Sequence, residues 1–121
     1  MITHIGTVGV YVADQQRSVE FWTEKLGFQL RRREPMGPDA YWLEVGPANA
    51  QTCLVLYPRS MMHNWAEMKP SLVLECADIG ATVEQMRLNG VEFIQEPRAM
   101  PWGTYAIFKD IDGNEFILKG D

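Results

Sequence analysis

The chain matches itself at an offset of 64 residues, and in a sequence of 121 residues that repeat restricts the fold more than any other feature. "TVGVYVADQQRSVEFW" (7–22) aligns with "SLVLECADIGATVEQM" (71–86), so that Asp14 falls over Asp78 and Ser18-Val19-Glu20 over Thr82-Val83-Glu84. Both segments run into a glycine and an apolar residue, Gly27-Phe28 and Gly90-Val91, and Tyr41 falls over Tyr105. The pattern predicts one domain, 1–121, made of two copies of a module, about 4–57 and 71–119, joined by a 58–70 linker. A second large domain has no room.

Each module reads as a strand, a helix and a short run of strands. Asp14 and Asp78 are suited to accept backbone N–H bonds as helix N-caps. Val19, Trp22 and Leu26 then recur at helical spacing, and Ile79, Val83 and Met86 repeat the stripe. Gly27 and Gly90 stand where a left-handed C-cap is wanted, and Asp112-Gly113 supplies the positive φ of a tight hairpin. In the linker, Pro58 and Pro70 bracket a short helix capped by Ser60, with Met61, Trp65 and Met68 on one face. That stripe packs on the sheet or a partner subunit, or else closes as a lid over a ligand.

The net charge of −5 argues against a nucleic-acid partner, whose phosphates call for lysine and arginine. No run approaches the roughly 20 apolar residues of a membrane span, and "MITHIGTVGV" lacks the pattern of a signal peptide. These features predict a cytoplasmic protein with no membrane partner. Cys53 and Cys76, in strand-like segments without a spacing motif, read as buried thiols rather than a disulfide.

Side chains alternate across a strand, so parity separates two faces of the sheet. One parity gives Val8, Val10, Val12, Leu54, Leu56, Leu72, Leu74, Cys76, Phe116 and Leu118, an apolar face for the helices. The other gives Thr7, Gly9, Tyr11, Cys53, Val55, Tyr57, Ser71, Val73, Glu75, Glu115, Ile117 and Lys119. A mixed face of this kind is solvated in many antiparallel sheets. Its large members, Tyr11, Val55, Tyr57, Val73 and Ile117, suit instead the wall of a ligand cavity.

The repeated module, with "VYVADQQRSVEFWTEKLGF" (10–28) and "FKDIDGNEFIL" (108–118), resembles the vicinal oxygen chelate superfamily over nearly the whole chain. That group includes glyoxalase I, extradiol dioxygenases, fosfomycin-resistance enzymes and bleomycin-resistance proteins. The resemblance implies an α+β fold of two βαβββ modules forming a curled, cup-shaped mixed sheet with helices on the outer face. It also implies a site inside the cup and completion by a homodimer.

In metal-using members, as the resemblance has it, one ligand stands seven residues before the capping aspartate and another four residues after the glycine of the late turn. In this chain those positions are Thr7 and Ser71, and Ile117 with about Val55 as its first-module counterpart. Two hydroxyls and two hydrocarbons are a poor donor set for a divalent cation. The expectation is therefore a cup without metal or other cofactor that binds a small, partly apolar molecule, as in the bleomycin-resistance type. Thr7, Tyr11, Val55, Tyr57, Ser71, Val73, Ile117 and Trp102 are the candidate ligand-binding residues.

Two other readings stay open. One is a lyase, isomerase or dioxygenase of the glyoxalase type, with Glu75 or Glu115 as a base or a displaced metal site using His4 or His63. The other is an interaction module whose cup is filled by side chains. Glu75 and Glu115 also suit simple exposure or ion pairing with Lys119, and His63 suits exposure. Trp42 and Trp102 suit stacking on a planar ligand or ordinary packing. Arg31 and Arg33, sharing one strand face, suit an anion site or a solvated edge. "DIDGNE" (110–115) fails as a calcium loop, since Glu115 stands where glycine is required.

Overall fold

Both aspartates cap their helices. Asp14 accepts from Arg17 N at 3.1 Å and Asp78 from Ala81 N at 3.0 Å, and each sits in extended backbone just before the first turn. The computed structural model describes residues 1–121 as two compact units, Met1–Lys69 and Pro70–Asp121.

In the first unit, β1 (Thr7–Val12) leads to α1 (Gln15–Glu20), followed by β2 (Gln29–Gly37), β3 (Ala40–Gly46) and β4 (Cys53–Pro58). In the second, β5 (Val73–Glu75) leads to α2 (Ile79–Leu88), then β6 (Glu92–Met100), β7 (Gly103–Lys109) and β8 (Glu115–Gly120). The strand orders are β1-β4-β3-β2 and β5-β8-β7-β6, with the first pair of each parallel and the rest antiparallel. Each unit is a βαβββ module with a curled mixed sheet, and the fold is α+β.

Strand parity sorts most of the core, though Val8, Leu72, Leu74 and Cys76 of the expected apolar face are only half-buried and Cys53 and Val55 of the other parity are buried. Val10, Val12, Leu43, Val45, Leu54 and Leu56 are buried on the helix side of the first sheet, and Ala106, Phe108, Phe116 and Leu118 on that of the second. Ile79, Val83 and Met86 of α2 are buried as well. Phe108 stacks on Phe116 with ring centroids 5.6 Å apart. Burial of such a side chain stabilises by about 1.5–3 kcal/mol.

The first helix departs from a simple 3.6-residue stripe. After α1 the chain widens into a π turn, Phe21–Lys25, closed by a bond from Phe28 N to Trp22 O. The wider turn lets Phe21 and Trp22, adjacent in sequence, both be buried, while Val19 and Leu26 are only half-buried. Gly27 follows with φ 76° and Gly90 ends α2 with φ 90°, values that favour glycine.

Two further expectations need correction. The linker forms no single helix: it makes two short 3₁₀ turns, Arg59–Met61 and Trp65–Glu67, with Met62 extended between them. Ser60 lies inside the first turn and caps nothing. So short a helix is marginal, His63-Asn64 are weak formers, and Arg59 and Lys69 place their cations 4.3 and 5.5 Å from the Trp65 ring centroid. Met61 and Met68 are exposed, not packed on one face. The strand ladders also shift the repeat. β2 and β6 each carry bulges, and Trp42, paired with Glu34, takes the place of Tyr105, paired with Arg98; Tyr41 corresponds to Thr104.

The connection from β7 to β8 is a loop closed by one side chain. Asp110 Oδ1 accepts from Asp112 N at 2.9 Å and Asn114 N at 2.8 Å, and Oδ2 accepts from Asn114 Nδ2 at 3.0 Å, while Gly113 adopts φ 81°. Burial raises the Asp110 carboxyl above its ordinary 3.8, against the opposing pull of the Asn114 bonds. A raised native value means that the folded chain holds this proton more readily than the unfolded one. Its contribution is full below about 3.8 and is lost as pH rises through the native value. Urea unfolding across that range is therefore expected to show wild type gaining stability relative to D110N as pH falls. A difference that stays flat or shrinks contradicts this.

Candidate functional site

The mixed parity of each sheet holds a cavity. In the first unit, Thr7, Gly9 and Tyr11 of β1, Trp42 of β3, Val55 and Tyr57 of β4, and Met62 of the linker surround about 300 Å³. In the second, Gln95, Arg98, Met100, Trp102, Tyr105, Ile107 and Ile117 surround about 310 Å³. Both volumes lie at the lower end of small-molecule sites.

The walls of the first cavity are aromatic and mutually braced. Tyr57 meets Tyr11 edge-on at 5.9 Å and Trp42 edge-on at 6.2 Å. Trp42 Nε1 donates to Glu44 Oε2 at 2.7 Å, and Arg32 stands 3.6 Å from that oxygen and 3.8 Å from Glu34. Glu44, with only 17% of its side chain exposed, thus fixes the ring that forms a cavity wall. Continuing the parity argument through "AYWLEVG" (40–46) exposes this pair, since buried Leu43 and Val45 leave Trp42 and Glu44 on the mixed face.

Of the candidate residues, Thr7, Tyr11, Val55 and Tyr57 meet in the first cavity, and Ile117 and Trp102 in the second. Ser71 and Val73 border neither and are exposed, Val73 to 51%. Glu75 and Glu115 are exposed and border neither cavity, and neither forms an ion pair with Lys119. β1 begins at Thr7, so the strand does not reach His4, which bonds to Thr3 Oγ1 at 2.9 Å; His63 is exposed.

Arg31 and Arg33 are engaged within the first unit. Arg31 donates to the carbonyls of Pro47 and Ala48 at 2.9 and 3.0 Å, and Arg33 lies 4.2 Å over the Tyr41 ring. Arg33, Tyr41, Asp14, Gln15 and Ser60 border a third, more polar hollow of about 500 Å³ near the start of α1. Cys53 and Cys76 are free, Cys53 buried and Cys76 half-buried.

The ladders confirm that the positions implied for metal ligands are equivalent. Val55 pairs with Gly9 as Ile117 pairs with Val73, and Thr7 and Ser71 lie two residues before those glycine and valine positions. Val55 and Ile117 offer only hydrocarbon, and Thr7 and Ser71 offer exposed hydroxyls. Nowhere do three His, Cys, Asp or Glu side chains converge in a way that suits a metal ion. This donor set does not fit the divalent cation of the metal-using members. No helix is long and apolar enough to cross a membrane.

Comparison with known proteins agrees with this fold. The uncharacterized protein YetH of Bacillus subtilis (strain 168) is 57% identical over 98% of this chain and 99% of its own. The crystal structure of TnmS3, an antibiotic binding protein from Streptomyces sp. CB03234, is 33% identical with a TM-score of 0.84, covering 98% of this chain and 96% of that one. A superfamily member from Sphaerobacter thermophilus DSM 20745 superposes with a TM-score of 0.88 at 28% identity, covering 99% and 98%. A family model matches residues 2–118, and the chain belongs to the Glyoxalase/Bleomycin resistance protein/Dioxygenase superfamily.

Proposed function

We propose that this protein binds a small, partly apolar molecule on the mixed faces of its sheets, with no metal in the binding step. The observation that carries the reading is the first cavity, where Tyr11, Trp42 and Tyr57 form braced aromatic walls beside Thr7 and Val55. Rigid aromatic walls with a few polar groups are what a flat organic ligand requires. TnmS3, at 33% identity, is described as an antibiotic binding protein, which makes aromatic antibiotics the first compounds to try.

The lyase, isomerase or dioxygenase reading draws less support, because neither Glu75 nor Glu115 borders either of these two cavities, where it could take a proton from a bound molecule. Open cavities on both mixed faces weigh against an interaction module with a filled cup. The same proposal takes the protein to be a cytoplasmic homodimer, in keeping with its free thiols. Light scattering is then expected to give twice the 13.8 kDa chain mass.

A thermal-shift screen of aromatic antibiotics, followed by calorimetric titration of the hits, tests the reading. A true ligand at about 100 times its Kd adds about 2.7 kcal/mol to stability. W42A is expected to weaken a hit by about tenfold or more through loss of an aromatic wall. Hits whose affinity is lowered neither by W42A and Y57A in the first cavity nor by W102L in the second would sink the proposal.

A further inference from the structure

The duplicated ladders allow the mixed faces of the two sheets to be compared position by position, and they differ in charge: the first cavity's lining carries none, while Arg98 lines the second. Trp42 corresponds to Tyr105 and Val55 to Ile117, through their matching strand partners. Glu34, paired with Trp42, corresponds to Arg98, paired with Tyr105. Glu44, paired with Val55, corresponds to Ile107, paired with Ile117. Tyr57, two residues beyond Val55, corresponds to Lys119. Two carboxylates of the first unit are thus replaced by an arginine and a hydrocarbon, and a tyrosine by a lysine.

Arg98 and Lys119, on either side of Tyr105, form no ion pair. In the first unit, by contrast, Arg32 answers Glu34 and Glu44. Glu75 lies opposite Lys119 in the ladder without pairing to it. Lys119 lies instead over Gly103, where a Cβ would stand 3.0 Å from its Cε and 3.7 Å from the Tyr105 ring. Gly103 has φ 142°, so glycine both relieves the backbone and leaves room for the lysine stem. Two unpaired cations flank Tyr105 and the 64%-exposed Trp102 in a chain whose net charge is −5.

We propose that the second-unit cavity recognises the anionic group of an aromatic ligand, with Arg98 of its lining and Lys119, which flanks the lining residue Tyr105 from β8, on the anion and Trp102 and Tyr105 on the ring. This rests on the small-molecule reading above and adds the ligand's charge to it. An arginine fork suits a carboxylate or sulfonate, and an aromatic platform suits a flat ring system.

Two fluorescent probes with one ring system separate the two readings: 1-anilinonaphthalene-8-sulfonate and the uncharged N-phenyl-1-naphthylamine. Wild type is expected to bind the sulfonate about tenfold more tightly, the worth of a charge-assisted hydrogen bond. R98Q/K119Q is expected to remove that preference and leave the uncharged probe within about twofold, while W102L weakens both. In wild type the preference is expected to shrink as salt rises about tenfold, which checks the same point without a variant. Equal binding of the two probes, or a preference that survives both R98Q/K119Q and salt, overturns anion recognition and leaves the small-molecule reading standing. Binding of neither probe overturns both.

Discussion

Trp22→Ala is expected to destabilise the protein by about 3–5 kcal/mol, enough to unfold a marginal domain at ambient temperature. The indole is fully buried, with ring centroids 5.5 Å from Phe21 and 5.1 Å from Phe28. The substitution leaves a void beneath the π turn, whose buried residues are Phe21 and Trp22. A second consequence follows for the secondary structure. With Trp22 gone, Phe21–Lys25 has no reason to keep the wider turn, and the segment relaxes toward an α-helix with Val19 and Leu26 inward. Urea unfolding measures the loss; Trp22→Phe, which keeps an aromatic ring, is expected to lose less than half as much. A loss below about 1 kcal/mol for alanine contradicts the packing argument.

Gln15→Ala is expected to cost about 2–4 kcal/mol, a large effect for a half-buried polar residue in the first turn of a helix. Its Nε2 donates to the carbonyls of Tyr41 and Leu56, both at 2.7 Å, and its Oε1 accepts from Tyr41 N at 3.1 Å. One amide thus serves three backbone groups on β3 and β4 and ties α1 to both strands. Removing it takes a partner from three backbone groups, and alanine contributes a better helix propensity that recovers only tenths of a kcal/mol. Gln15→Glu supplies the sharper check. It matches the shape but turns an oxygen toward two carbonyl oxygens, so it is expected to destabilise at least as much as alanine. If Gln15→Glu melts like wild type, the amide is not what joins these elements.

What the sequence conveyed follows from how local each determinant is. An N-cap is settled within three residues, a left-handed glycine within one, and strand parity by alternation alone. Asp14, Asp78, Gly27, Gly90 and the apolar faces of β1, β4 and β8 were therefore legible. Gln15 was not, because its partners lie 26 and 41 residues away and nothing nearby marks them. The bulges of β2 and β6 were equally invisible, and they carry Trp42 rather than Tyr41 to the place of Tyr105. In the linker, apolar spacing suggested a helix, but weak propensity and the two cations on Trp65 favoured short turns. Among the candidate site residues, the four of the first unit that meet share one continuous ladder between β1 and β4. Val73 opens a three-residue strand and Ser71 lies two residues before it, so the strand is too short to carry the same alternation into a cavity wall.

Each sheet draws all four of its strands from its own half of the chain, so every rung of either ladder closes within about fifty residues. A segment with that property can be copied in tandem without leaving a strand in search of its mate. Once copied, the backbone of each half stays bound by its own rungs, while the residues on the mixed parity answer to nothing in the ladder. Heredity can then rewrite them one at a time. Glutamate at 34 and arginine at 98, equivalent in the two ladders, show that freedom: the rungs match while the charge they carry does not.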